Sequence, residues 1–414
     1  MMDNEKLKNI IEDLSNNVMF SLSLSSKELF HSNLWAWLGR KYPKMFTEIF
    51  LDEKVELDEN SIILREYKNF DLYVETKNSI YVFENKCKSM PNKSQLMEYD
   101  KKLAKIKEEK EKEIETKTKT KTKLISYFEP IGRYVWADDN TPSRIHDWSI
   151  ITYNELYNKF KNSFKNNKEI IEKNEKETEN NDKIIIEEYI KCLKLLNDLH
   201  NSIELNDGTI IEEYYSLLDN DEIKKLSRKI NFEKTLERIL VNKLTHYVLD
   251  KYEKKDEIDA INIDCGRDHV VYSDILFYFK GAWVENEDDR PPLNAIGVSL
   301  WGKNFRYYAN VNKSKKHLGD YLNSNKDNLS VNDWKNAGHK YLSTNYKDFW
   351  QKETEKTKKI EKGGYNCKDD MWLYKKEDIS KLSISKVREK TQYWLNEAYG
   401  YLNLCEELST SDKT

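Results

Sequence analysis

Three short strand-like segments follow one another in this chain: Ser61–Glu66 (SIILRE), Asp71–Glu75 (DLYVE) and Ile80–Lys86 (IYVFENK). A link ending in KNF and the polar turn Thr76-Lys77-Asn78-Ser79 join them, so they make a meander. Ahead of them, residues from about Lys6 to Leu38 read as helical, with Ile10, Ile11, Leu14, Leu29, Leu34, Trp35 and Leu38 mostly three or four apart, and Gly39 is expected to act as a stop. Behind them, a helix is expected from about Lys93, because Gln95, Leu96, Tyr99, Leu103 and Ile106 lie along one face. Leu124–Phe128 then reads as a fourth strand, Pro130, Gly132 and Pro142 as a loop, and Ser149–Thr152 as a fifth strand entering a helix over Tyr153–Phe160. Helix, three strands, helix, strand, strand, helix is an α/β order with a mixed central sheet flanked by helices.

At about 150 residues per domain, 414 residues set a prior of two or three domains. The first domain is expected over 1–205, with charged excursions near 108–123 and 161–183 that are low in complexity and solvated. The helical stripe Ile186, Tyr189, Ile190, Leu193, Leu196 and Leu199 closes it. A second, α+β domain is expected over 209–414, with helix over Glu212–Leu249, strands near 260–264, 269–279 and 293–301, and helix over Lys381–Leu408. Six of the ten tryptophans lie beyond residue 280, so this half is expected to have an aromatic core of its own. No apolar run approaches the ~20 residues of a membrane span. The first residues lack a secretory pattern, so a cytoplasmic location is expected. Five scattered cysteines with no C-x-x-C pair argue against a disulfide framework or structural zinc. With 69 basic against 73 acidic residues, net charge identifies no partner, and a nucleic-acid surface must be a local patch.

Chemistry concentrates between Phe70 and Tyr99. Strand alternation puts Glu84 and Lys86 on one side of IYVFENK. Hairpin pairing can bring Asp71 close to Glu84. Two carboxylates at one point of a sheet repel unless a cation lies between them, and oxygen-only ligands suit Mg²⁺ or Mn²⁺. Asp71, Glu84 and the main-chain carbonyl of Asn85 can hold that ion, and Glu28 can add a carboxylate from the side. Such a site activates water and neutralises charge on a scissile phosphate. Lys86 can orient or deprotonate the water, or stabilise the phosphorane; sequence does not separate these roles. Gln95 and Tyr99, four apart on a helix, share a face, with the amide placed to orient Glu84 or Lys86 and the phenol to contact phosphate.

From Glu28 to about Leu199 the chain resembles the PD-(D/E)XK nuclease superfamily. Asp71, Glu84-Asn85-Lys86 and Gln95-x3-Tyr99 match its D, (D/E)XK and QxxxY patterns, the last shared with RecB-like and lambda-exonuclease-like members. The helix ELFHSNLWAWL, the Glu129-Pro130-x-Gly132 segment, Trp148 and the strand leading to Tyr153 continue the likeness. Phe70 departs from it, standing where a proline often precedes the first aspartate. The resemblance implies a restriction-endonuclease-like core, Mg²⁺-dependent hydrolysis of DNA and, for stand-alone bacterial proteins of this kind, defence against foreign DNA. It leaves open an RNase on the same site, or a silent nucleic-acid-binding or regulatory module. The resemblance does not extend to the second half, and contact with a partner protein or a second copy through it is open.

No Ser or Cys stands in a Gly-x-Ser-x-Gly context, which excludes nucleophilic acyl chemistry of that type, and no P-loop is present. Trp301–Lys316 (WGKNFRYYANVNKSKK) interleaves aromatics with cations, the composition of a base-stacking surface and equally of an aromatic core.

Overall fold

IYVFENK becomes the middle of a sheet, and its residues from Ile80 to Asn85 are all buried. A strand covered on both faces reads as a near-continuous apolar run, which is why its alternation is weak. The computed structural model describes residues 4–26, 29–51, 55–77, 79–86, 98–109, 129–136, 144–145, 148–169, 171, 181–265, 270–282, 291–313, 330–345, 350, 361–366 and 370–411. The chain is mixed α/β. By internal contacts it divides into two units, Met1–Glu204 with Asn220–Leu236, and Leu205–Asp219 with Glu237–Thr414. The single division drawn from sequence between 205 and 209 does not contain this return of Asn220–Leu236 to the first unit.

In the first unit β1 (Ile62–Arg65), β2 (Leu72–Glu75) and β3 (Ser79–Lys86) form the antiparallel meander. β4 (Glu129–Trp136) runs parallel to β3, β6 (Trp148–Thr152) runs parallel to β4, and the short β5 (Arg144–Ile145) closes the edge antiparallel to β6. The order β1-β2-β3-β4-β6-β5 is therefore a mixed sheet. On one face Phe70, Tyr73, Ile80 and Val82 pack with Trp148 and with Tyr99, Leu103 and Ile106 of the helix 98–109. On the other, Phe83 meets Phe46 and Phe50 of the helix Pro43–Phe50 at ring separations of 6.4 and 5.7 Å.

Several local expectations change. The N-terminal helical stretch is three helices, Asn4–Asn16, Val18–Ser26 and Leu29–Lys41. It breaks at Asn17, whose side-chain oxygen accepts the Phe20 N–H at 2.8 Å as a cap. Gly39 does not stop the third helix. A Cβ there would lie 2.7 Å from Ile63 Cδ1, so the glycine lets this helix approach β1. Glu129, Pro130 and Gly132, read as a loop, lie inside β4, where proline occupies the second position of the strand and its missing donor is tolerated. Leu124–Phe128 lies outside the described residues. The helix from Tyr153 continues to Asn166, and Ser163 and Asn167 donate to Glu48, so residues 161–167 are packed against the first unit rather than a solvated excursion.

Glu212–Leu249 is not one helix but Ile211–Tyr215, a 3₁₀ turn Ser216–Asp219, then Asp221–Lys229 and Glu233–Leu249. Asn220 caps the third piece by accepting the N–H groups of Glu222 and Ile223, and Asn231 turns the chain at φ 50°. Within the first unit Lys8 pairs with Glu222 at 3.0 Å, and Phe20 meets Phe232 edge-on at 5.6 Å.

In the second unit β7 (Ala260–Cys265), β8 (Val271–Tyr278), β9 (Leu293–Trp301), β10 (Asn304–Asn312), β11 (Glu361–Asn366) and β12 (Asp370–Asp378) form an antiparallel sheet ordered β11-β12-β10-β9-β8-β7. The helix Ile384–Ser411 covers one face, where Trp394 meets Tyr307 at 4.3 Å and Tyr399 meets Phe277 at 5.5 Å. Buried Trp350 stacks on Tyr307 at 5.5 Å, which adds to an aromatic core. No helix among the described residues is long and apolar enough to cross a membrane.

Candidate active site

The β2–β3 ladder ends at Leu72 opposite Phe83, and Asp71 and Glu84 are the residues that flank this last pair. Alternation puts Glu84 on one face of β3 with Ile80. That face also carries Val82 and Tyr73, so Glu84 lies on the side covered by the helix 98–109. Glu84 is 2% exposed and Asp71 half-buried. Asp71 Oδ2 accepts the backbone N–H of Asn85 at 2.7 Å, taking the place of a strand carbonyl where β2 has ended. The aspartate is thus fastened to the backbone of the residue after Glu84.

The approach to Asp71 is an unusual stretch of chain. Glu66, Lys68 and Asn69 have φ of 52°, 52° and 70°, left-handed backbone that residues other than glycine and asparagine enter at a cost. The turn they form closes on itself, with the Glu66 N–H donating to the Asp71 carbonyl at 3.4 Å and the Phe70 N–H to Tyr67 at 3.0 Å. Arg65 pairs with Glu66 at 3.4 Å on the surface.

Asn85 is fully buried on the opposite face, and Tyr153 donates its hydroxyl to Asn85 Oδ1 at 2.8 Å. Tyr153 is the first residue of its helix, which Thr152 and Glu155 fix by a reciprocal capping box. The Tyr153 ring lies against His31 at 5.6 Å, and His31 Nδ1 is 2.8 Å from the Tyr189 hydroxyl, which also accepts the Trp35 indole N–H at 2.8 Å. His31 is therefore a buried, partnered core histidine, while Asn33 is exposed.

The sequence candidates divide as follows. Asp71 meets the backbone N–H of Asn85, the residue after buried Glu84. Lys86 is the last residue of β3, its backbone level with Trp136, and its side chain lies outside the described residues. Glu28 and Gln95 lie outside them altogether. Tyr99 is on the Glu84 side of the sheet, 6% exposed, with its ring against Phe70 at 5.1 Å and Trp148 at 5.9 Å. Sequence reasoning missed Tyr153, whose spacing gives no hint that it reaches Asn85. It also missed Asp100, which accepts the Trp148 indole N–H at 2.7 Å beside Tyr99.

Among the described residues no group of three or more His, Cys, Asp or Glu side chains is placed to hold a metal ion. The Asp71–Glu84 pair is a two-carboxylate set, the number that Mg²⁺ commonly takes from protein while keeping several waters. A carboxylate accepts several bonds at once, so the Asn85 N–H and a cation are compatible on Asp71. Comparison with known protein families, with curated proteins and with solved structures finds no match to this chain.

Proposed function

We propose that this chain is a metal-dependent phosphodiesterase that hydrolyses DNA, with a restriction-endonuclease-like core in its first unit. The observation that carries the reading is the bond from the Asn85 N–H to Asp71, which ties this carboxylate to the residue after buried Glu84 at the end of the β2–β3 ladder. Two carboxylates so placed, one of them almost fully buried, concentrate negative charge that a divalent cation offsets. The donor set is all oxygen, which suits Mg²⁺ or Mn²⁺. Bound there, the ion supplies Lewis acidity toward a phosphoryl oxygen and lowers the pKa of water.

The chain's own groups do the rest. Asp71 and Glu84 fix the position of the cation. The Asn85 N–H holds one Asp71 oxygen, so the carboxylate does not swing toward solvent. Lys86, at the end of the same strand, places a cation for the water or for the charge that develops on phosphate. Tyr153 keeps Asn85 from rotating and so acts as a positioning residue. The mixed sheet, the meander and the D, ENK and Tyr99 elements support the family resemblance.

The test is incubation of the purified chain with linear, circular and single-stranded DNA and with RNA, each with Mg²⁺, Mn²⁺ or EDTA. Cleavage of DNA is expected with metal and not with EDTA, and Glu84→Gln and Lys86→Ala are expected to lose it while keeping the native circular dichroism. Calorimetric titration with Mn²⁺ is expected to show binding that Glu84→Gln removes. Cleavage that survives both substitutions, or an intact chain that takes up neither ion, ends the proposal.

A further inference from the structure

The second unit holds a cavity of about 400 Å³ whose walls include Tyr215, Glu237, Trp301, Lys303, Arg306 and Lys376. One of those walls is Arg306 on β10, 7% exposed. The guanidinium carbon lies 3.5 Å from the centre of the Trp301 ring and 4.2 Å from that of Tyr374. Tyr272 stacks on Trp301 at 4.2 Å with the planes 2° apart, so the order is Tyr272, Trp301, Arg306, Tyr374. Both faces of Trp301 are covered, and Phe305, Tyr307 and Tyr308 are buried. The described part of WGKNFRYYANVNKSKK is therefore not a base-stacking platform.

A guanidinium held between two rings offers only its edge, a fixed fork of N–H donors matched to phosphate or carboxylate. Among the described residues, Arg306 pairs with no carboxylate, and its Nε has no hydrogen-bond partner. The Tyr215 hydroxyl, on a side chain 4% exposed, has none either. Burial raises the Tyr215 pKa, so the phenol stays protonated and remains a donor. A buried donor left unmet is costly, and two on residues that line one cavity point to a ligand that meets them.

The cavity also has an arrangement of charge. Lys376 stands directly across from Arg306 in the β10–β12 register. Lys303 sits in the two-residue hairpin loop beside Gly302, whose φ of 56° makes the tight turn. Two carboxylates complete the wall: Asp219, 3.6 Å from Lys303, and Glu237, whose Oε1 accepts the Val271 N–H at 3.0 Å. Val270 and Leu218 supply apolar surface. Cations, one carboxylate side and an apolar patch, in a space of small-ligand size, fit a molecule that is anionic at one end and rich in hydroxyl groups further along.

We propose that this cavity binds a nucleoside phosphate, its phosphate on the edge of Arg306 with Lys303, Lys376 and the Tyr215 hydroxyl, and its sugar hydroxyls toward Glu237. Carboxylates commonly take ribose hydroxyls in this way. The site uses no residue of the first unit and does not depend on the phosphodiesterase reading.

The experiment is calorimetric titration of the full chain in EDTA with AMP, ATP, inorganic phosphate and a 5′-phosphorylated oligodeoxynucleotide. A mononucleotide is expected to bind more tightly than inorganic phosphate. Arg306→Lys, which keeps the charge and loses the fork, and Tyr215→Phe, which loses only the hydroxyl, are each expected to weaken it by about tenfold or more. Both are conservative, and circular dichroism checks their fold. The proposal is overturned if neither nucleotide binds at millimolar concentration, if phosphate alone binds as well, or if the oligonucleotide binds more tightly than the mononucleotides. It is also overturned if both substitutions leave affinity unchanged.

Discussion

Asn69 shows how much of the candidate active site depends on backbone conformation. At φ 70° it is in a region that asparagine tolerates and alanine does not. Asn69→Ala is expected to destabilise the chain by about 1 kcal/mol in urea unfolding and to lower DNA cleavage, because the turn aims Asp71 at Asn85. Asn69→Gly is expected to restore most of both. On the other face, Tyr153→Phe withdraws the donor from Asn85 Oδ1 within a fully buried pair. A loss of about 1–3 kcal/mol is expected, with kcat falling more than KM rises if Tyr153 positions the strand of the proposed site. The sequence singled out Asp71 and Glu84 by residue type and strand position, and the structure sets Asp71 against the residue after Glu84. The left-handed turn and the Tyr153 bond were not legible, since neither leaves a periodic mark in the sequence.

At the scale of elements, helices with a clear apolar stripe were the most legible. Tyr99, Leu103 and Ile106 are buried along one face, as are Ile186, Tyr189, Leu193, Leu196 and Leu199. Errors fell where glycine or proline has a second use. Gly39 gives room for Ile63 rather than ending a helix, and Pro130 and Gly132 sit within β4 because proline near a strand start loses little. The break of Glu212–Leu249 was signalled by Asn220 and Asn231, which a long charged helix can equally carry on its surface. One cap bears directly on the site: Thr152 starts the helix whose first residue is Tyr153. Thr152→Ala is expected to cost about 1 kcal/mol, read as a lower urea midpoint at unchanged m-value. Faster amide exchange over the first turn of that helix should accompany it.

At the scale of the whole molecule, burial holds the phenols of Tyr215, Tyr252 and Tyr307 in their neutral form, with the pKa of Tyr252 raised to about 12. A raised folded value gives stability that is complete below the unfolded pKa near 10 and fades as pH rises through the folded one. Melting temperature is therefore expected to fall from about pH 10 upward, and Tyr252→Phe to make that fall shallower. The interleaved units give a second test. A fragment ending at residue 205 lacks Glu222 and Phe232, the partners of Lys8 and Phe20, and is expected to melt below a fragment that ends after Leu236. The chain leaves the first unit at Glu204, re-enters at Asn220 and leaves again after Leu236. During synthesis, then, the ribosome must release some thirty residues beyond the first exit before that unit has all its pieces, and any single recombination junction that hands one unit on intact carries a piece of the other with it.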